Sequence, residues 1–213
     1  MAGDGGRWHL PREPEPLELE TVDVDQDGNL DVVSASSGDN KVAWYENLGA
    51  GSFGVQQIIT TDLDNPRGIY TADLDGDGDT DVLVASRGDN KISWCENLGR
   101  GPFALHRLIT SNSYSAFILH AAVLDGDGDQ DVLSGSRVDD KVAWYENRGN
   151  GIFGAQQVIS HAADGCSCVR AFDIDGDGDQ DVLSASYLDA KIAWYENVGD
   201  GSFGGQRLIS DDA

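Results

Sequence analysis

The chain has 213 residues, 39% hydrophobic and only 8% aromatic, enough for one sizeable core and too apolar for a disordered chain. Fourteen Lys and Arg face 38 Asp and Glu, a formal net charge of −24, which argues against nucleic acid and anionic membranes as partners. No apolar run approaches the roughly 20 residues of a membrane helix, and three cysteines (Cys95, Cys166 and Cys168) make no disulfide framework.

Residues 1–16 read as an N-terminal extension. Its start, Met1-Ala2-Gly3-Asp4-Gly5-Gly6, does not read as a secretory leader. Arg7-Trp8-His9-Leu10 aligns with Gln57-Ile58-Ile59-Thr60, so the extension carries the remnant of an outer strand. From residue 17 onward the chain matches itself at a shift of 50. Trp44, Trp94, Trp144 and Trp194 fall in register, as do Phe53, Phe103, Phe153 and Phe203. The segment Lys41-Val42-Ala43-Trp44-Tyr45-Glu46-Asn47 returns unchanged at 141–147. The spacing predicts one domain over 17–210, divided into units at about 17–60, 61–110, 111–160 and 161–210, with a short tail at 211–213.

Each unit reads as four short strands. In the second, they are expected over 68–74, 81–86, 91–96 and 103–110, separated by an Asp/Gly loop, the turn Arg87-Gly88-Asp89-Asn90 and the turn Gly99-Arg100-Gly101. No stretch has a helical period. Four antiparallel strands repeated in this way predict an all-β fold, a β-propeller of four blades. Apolar residues on both faces of a strand, as at Val32 and Val33, suit a blade sandwiched between neighbours.

The chemistry of the sequence lies in the Asp loops. Calcium takes six to eight hard oxygens at flexible distances. Carboxylates at loop positions 1, 3, 5 and 9, with the carbonyl at position 7, can converge on one ion, and Gly at position 6 allows the sharp turn. The expected sets are Asp23, Asp25, Asp27, Asn29 and Asp31; Asp73, Asp75, Asp77, Asp79 and Asp81; and Asp173, Asp175, Asp177, Asp179 and Asp181. In the third loop Val123 replaces the first carboxylate, leaving Asp125, Asp127, Asp129 and Asp131, and a weaker or empty site is expected there. Three to four calcium ions follow as the expected cofactors. An EF-hand is ruled out, because position 12 is Ser34, Val84, Ser134 or Ser184 where that motif has Glu, and strands flank the loop.

These Asp-x-Asp-x-Asp-Gly-x-x-Asp loops, with the Phe-Gly pairs at 53–54, 153–154 and 203–204, resemble the FG-GAP/VCBS repeat family, whose blades also build the integrin α-chain propeller. The likeness covers about 17–210, and Phe103-Ala104 departs from it. It implies calcium between the first and second strand of each blade, a role in adhesion or carbohydrate binding, and an extracellular or organelle-lumen location. It names no ligand. Seven blades are common in the family. Four would close into a disc, the expected arrangement, or leave two apolar faces for a second copy or a larger assembly.

The units differ most at 61–70, 111–120 and 161–170, which link each outer strand to the next inner one. Loops on a rigid frame are where binding residues gather. Arg67, Tyr70, Arg87, Tyr114, His120, Arg137, Arg170 and Tyr187 are the candidates for a ligand face, the plain alternative being drift in unconstrained loops. Arg87-Gly88-Asp89 spells an adhesion tripeptide, but Ser37-Gly38-Asp39 fills the same turn in the first unit, so it reads as turn chemistry. Cys166 and Cys168 read as plain thiols, and the four histidines fall in different repeat positions and suggest no zinc site. No nucleophile elbow or phosphate loop is present. The expected function is a non-enzymatic binding module for a glycan or a protein. A structural subunit of a larger complex is the second reading, and a polysaccharide-active enzyme the third.

Overall fold

Short Val/Ile/Trp-rich runs bounded by Gly, Asn and Asp turns produce sixteen strands in the computed structural model, which describes residues 16–212. The remnant strand expected at 7–10 lies outside the described residues. The first sheet holds β1 (Pro16–Val22), β2 (Asp31–Ser36), β3 (Lys41–Tyr45) and β4 (Gln57–Thr60). The second holds β5 (Pro66–Ala72), β6 (Asp81–Ser86), β7 (Lys91–Cys95) and β8 (Arg107–Thr110). The third holds β9 (Ala116–Ala122), β10 (Asp131–Ser136), β11 (Val142–Tyr145) and β12 (Gln157–Ser160). The fourth holds β13 (Cys166–Phe172), β14 (Asp181–Ser186), β15 (Lys191–Tyr195) and β16 (Arg207–Ser210). Each sheet is an antiparallel meander in chain order, so each repeat is one propeller blade.

Three strands of the second blade differ from expectation, the third ending at Cys95 and not at Glu96. The inner strand of the second blade spans Pro66–Ala72 and leaves Asp73 and Leu74 to the loop. The outer strand starts at Arg107, and Phe103 makes only an isolated bridge to Asn97. Gly99 and Gly101, at φ 86° and 102°, turn the chain too tightly for Phe103 to join the ladder.

Three apolar cores lie between sheets, joining first to second, second to third and third to fourth. Side chains alternate across a strand, so each sheet has a front face bearing the repeated tryptophan and a back face opposite. Val24, Val33, Val42 and Trp44 on the front of the first blade meet Ile69, Val82 and Val84 on the back of the second. Every residue of β6 and of β10 is buried, since both faces of the middle blades are covered. In β14 burial lapses at alternate residues, Leu183 and Ala185, the mark of a sheet with one open face. Among the described residues no core joins the fourth sheet to the first. The described residues therefore form an open arc of four blades and not the expected closed disc.

Candidate metal loops and axial cluster

The Asp loops sit at one end of the blades, between inner and second strands. Their shape comes from carboxylates taking up backbone N–H groups. Asp73 accepts from Gly76 at 2.8 Å and Gly78 at 3.0 Å, and Asp173 accepts from Gly176 at 2.7 Å and Gly178 at 3.2 Å. In the first loop Asp23 holds Asp27 and Gly28 in the same way, at 3.1 and 3.0 Å. The position-6 glycines Gly28, Gly78, Gly128 and Gly178 have φ between 93° and 102°, a region costly for any residue with a Cβ.

Three of the loops bring carboxylate oxygens within 4.8 Å of one another: Asp23, Asp25 and Asp27; Asp73, Asp75 and Asp81; Asp173, Asp175 and Asp181. The third loop, where Val123 stands in the first position, makes no such trio among the described residues. Clustered hard oxygens of this kind suit Ca²⁺, and the donor set fits it. The position-7 side chains stand outside the trios. The Asn29 amide donates to Asp27, and Asp79 accepts instead from Gln26 of the preceding blade at 2.6 Å.

The position-9 aspartates have a second task that spacing does not show. Asp31, Asp81, Asp131 and Asp181 are fully buried. One oxygen of each accepts from the backbone of Val24, Leu74, Leu124 or Ile174 at 2.8–3.0 Å. The other accepts from the backbone of Asn47, Asn97, Asn147 or Asn197 at 2.7–2.8 Å. Each thus clips its loop to the end of the third strand.

Burial pushes the Asp81 and Asp131 carboxyls up to about 7, against the pull of their backbone donors, with Asp75 and Asp77, and Asp125 and Asp127, adding repulsion. A carboxyl raised in the fold binds its proton more tightly folded than unfolded. The stability it contributes is full below the ordinary value of 3.8 and is lost as pH rises through about 7. In chelator the melting temperature is therefore expected to fall from mildly acid to mildly alkaline pH. Thermal melts across that range check it, and a rise would contradict it.

The candidate ligand-face residues divide into two groups. Tyr70 on β5, His120 on β9 and Arg170 on β13 occupy the same register of successive inner strands. The Tyr70 and His120 rings meet edge to face at 5.0 Å. The Arg170 guanidinium acts on both rings and also on Glu18 and Glu20 of β1. Four inner strands thus face one axis. Glu20 is the member sequence reasoning missed; position 20/70/120/170 reads Glu, Tyr, His, Arg, and that divergence was the available signal. Burial, with Arg170 adding to it, lowers His120 to about 4, so the ring is neutral at neutral pH. Burial raises Glu18, Glu20 and Tyr70.

The second group lies at the end opposite the Asp loops, where the Arg87 and Gly88 amides donate to the carbonyls of Asn65 and Asp64 and fasten the hairpin turn to the linking loop. Arg137 lies over Phe117 at 4.2 Å and Tyr187 at 5.3 Å. Tyr114 and Tyr187 are exposed, as is Arg87. Arg67 reaches Asn65 at 3.3 Å. Asp89 of the Arg-Gly-Asp turn is held by Ser86 and Lys91, which fits its reading as turn chemistry. Cys95 and Cys166 are buried free thiols raised to about 12 by burial, so they are inert.

The FG-GAP-like repeat profile matches residues 23–84 and 124–184, more than half of the chain, with an Asp loop and its following strand inside both matches. The chain belongs to the FG-GAP-like repeat family. No curated protein matches this FG-GAP chain. Among solved structures, an Agrocybe aegerita lectin, described in its specific recognition of non-reducing terminal N-acetylglucosamine, is similar at TM-score 0.68 and 21% identity, covering 98% of this chain and 55% of the lectin. BBS1N, solved in complex with ARL6DN, is similar at TM-score 0.60 and 13% identity, over 94% of this chain and 58% of that one. The V. cholerae biofilm matrix protein Bap1 is similar at 0.51 and 20%, over 94% of this chain and 32% of that one. These likenesses show the fold. The FG-GAP chain spans about half the length of the first two and about a third of the last. Among the described residues no helix is long and apolar enough to cross a membrane.

Proposed function

We propose that this FG-GAP protein is a calcium-loaded, non-catalytic binding module that captures a glycan or a protein, outside the cell or in an organelle lumen. The observation that carries the reading is the pairing of converging carboxylate trios at one end of rigid blades with a divergent polar cluster at their shared axis. Asp23, Asp25 and Asp27, Asp73, Asp75 and Asp81, and Asp173, Asp175 and Asp181 would hold the ions. The charge of the ions would offset the repulsion within each trio and stiffen the loops. Glu20, Tyr70, His120 and Arg170 offer a carboxylate, a phenol, a neutral imidazole and a guanidinium, a set suited to hydroxyls and to a charged group. The recognition of a terminal N-acetylglucosamine by the lectin of similar fold makes sugars the first ligands to test. The open blade faces favour a second reading, a structural subunit of a larger assembly.

A glycan array followed by calorimetry tests the first. Saturable binding in calcium is expected, and it should weaken about tenfold or more, about 1.4 kcal/mol, in Tyr70→Ala or Arg170→Ala at unchanged melting temperature. Absence of saturable binding to any glycan or candidate protein, or binding indifferent to both substitutions, would overturn it.

A further inference from the structure

The three blade junctions share one plan, and each has features beyond its apolar core. A buried Asn of the later blade reaches across to a carbonyl of the earlier one. The Asn97 side chain donates to Val24 at 2.9 Å, Asn147 to Leu74 at 2.7 Å and Asn197 to Leu124 at 2.7 Å. A glycine of the later blade lies on the tryptophan of the earlier one. A Cβ on Gly101, Gly151 or Gly201 would come within 2.6, 2.2 or 2.5 Å of Trp44, Trp94 or Trp144.

The two ends of the arc carry the separate halves of this same junction. On the front of the fourth blade Ile174 is 42% exposed, where Leu74 and Leu124 are 1% and 2%. Ile209 is 55% exposed, and Phe172, Leu183, Ala185 and Ile192 line an apolar groove. On the back of the first blade Leu19 is 63% exposed, where its counterparts Ile69, Leu119 and Val169 are buried. Phe53 is 50% exposed, and Gly51 has nothing within 4 Å of a Cβ. Among the described residues, the Asn47 side chain donates within its own blade, to Leu30 at 2.9 Å.

We propose that a second copy of this chain docks front to back on these faces. Each free face is the half-junction the other lacks, and each matches, position for position, halves that already pair inside the chain. Trp194 of one copy would lie on Gly51 of the next, and Asn47 would donate to the Ile174 carbonyl. Leu19, Val32, Tyr45 and Phe53 would cover Ile174, Leu183, Ile192 and Ile209. The contact is heterologous, and a twofold axis parallel to the one the inner strands face would join both free faces of each copy in a closed pair of arcs.

Light scattering and sedimentation on the full chain, in calcium at physiological salt, test the proposal. A mass of twice the chain or more is expected. It should drop to that of one chain in Ile174→Lys/Ile209→Lys, which disables the front, and equally in Leu19→Lys/Phe53→Lys, which disables the back. All four residues are exposed, and circular dichroism of each variant checks that the blades remain folded. Mixing the two variants should restore association, since one intact front then meets one intact back. A monomeric wild type, with its end faces open or covered by the chain's own residues 1–15, would overturn the proposal. So would an oligomer that survives either variant, or a mixture that stays monomeric.

Discussion

Stripping calcium from this protein is expected to lower its melting temperature by about 15–30 °C. At a free concentration of a hundred times Kd, each bound ion stabilises the folded state by about 2.7 kcal/mol, and three loops together by about 8 kcal/mol. For a domain of this size each kcal/mol moves the midpoint by about 2–4 °C. The three loops are those whose carboxylate oxygens lie within 4.8 Å of one another. Without a cation each such pair repels by roughly 1 kcal/mol even at the dielectric of water. Asp73→Ala should lose one ion, and it also releases the Gly76 and Gly78 amides, so it should be costlier than the loss of one ion alone. Asp125→Asn, in the loop without a converging trio, should leave the count of tightly held ions unchanged. Calorimetric melts in calcium and in chelator, with titration of the ion, measure all three. Equal midpoints in the two buffers would refute the account.

How much of this was legible follows from what repetition records. The 50-residue shift places Trp44, Phe53 and their counterparts in register, and a period of that length with four turn-bounded runs leaves little besides a propeller blade. The Asp loops were legible because Asp at alternate positions with Gly between has few other uses. Closure was not legible. Phe53 and Phe103 occupy the same repeat position, yet one is exposed and the other lies against the first junction. Whether a blade face is covered depends on the angle between blades, which local residue types do not encode. The buried clip made by Asp81 escaped for a different reason. Its second partner, the Asn97 amide, is 16 residues away, and only the fold brings a turn at that distance onto the carboxylate. The axial cluster was half visible. Tyr70, His120 and Arg170 stood out as divergent, and Tyr70 fell inside an expected strand, but they were grouped with the linking loops; their shared strand register, which adds Glu20, appears only once β1, β5, β9 and β13 are laid side by side.

Trp94→Ala is expected to cost about 3–5 kcal/mol, as large aromatic truncations in packed cores do. Trp94 is 1% exposed, Gly151 of the next blade lies on its ring, and Arg107 stacks on it at 5.0 Å. No small side chain fills that gap, because Gly151 is held at φ 65° by its own turn and cannot follow the ring inward. Trp194 provides the control inside the same molecule. It has the same register on its strand and the same stacked arginine, Arg207 at 4.7 Å, but among the described residues no following blade covers it. At dilutions that hold copies apart, Trp194→Ala should cost about 1–2 kcal/mol, the share due to contacts within its own blade. Urea midpoints at constant slope measure both changes. The difference between them isolates what the covering blade contributes, with residue type, strand and stacking partner unchanged. Equal costs would mean that the tryptophans are stabilised by their own sheets alone, and that the junctions between blades hold the arc together by other means.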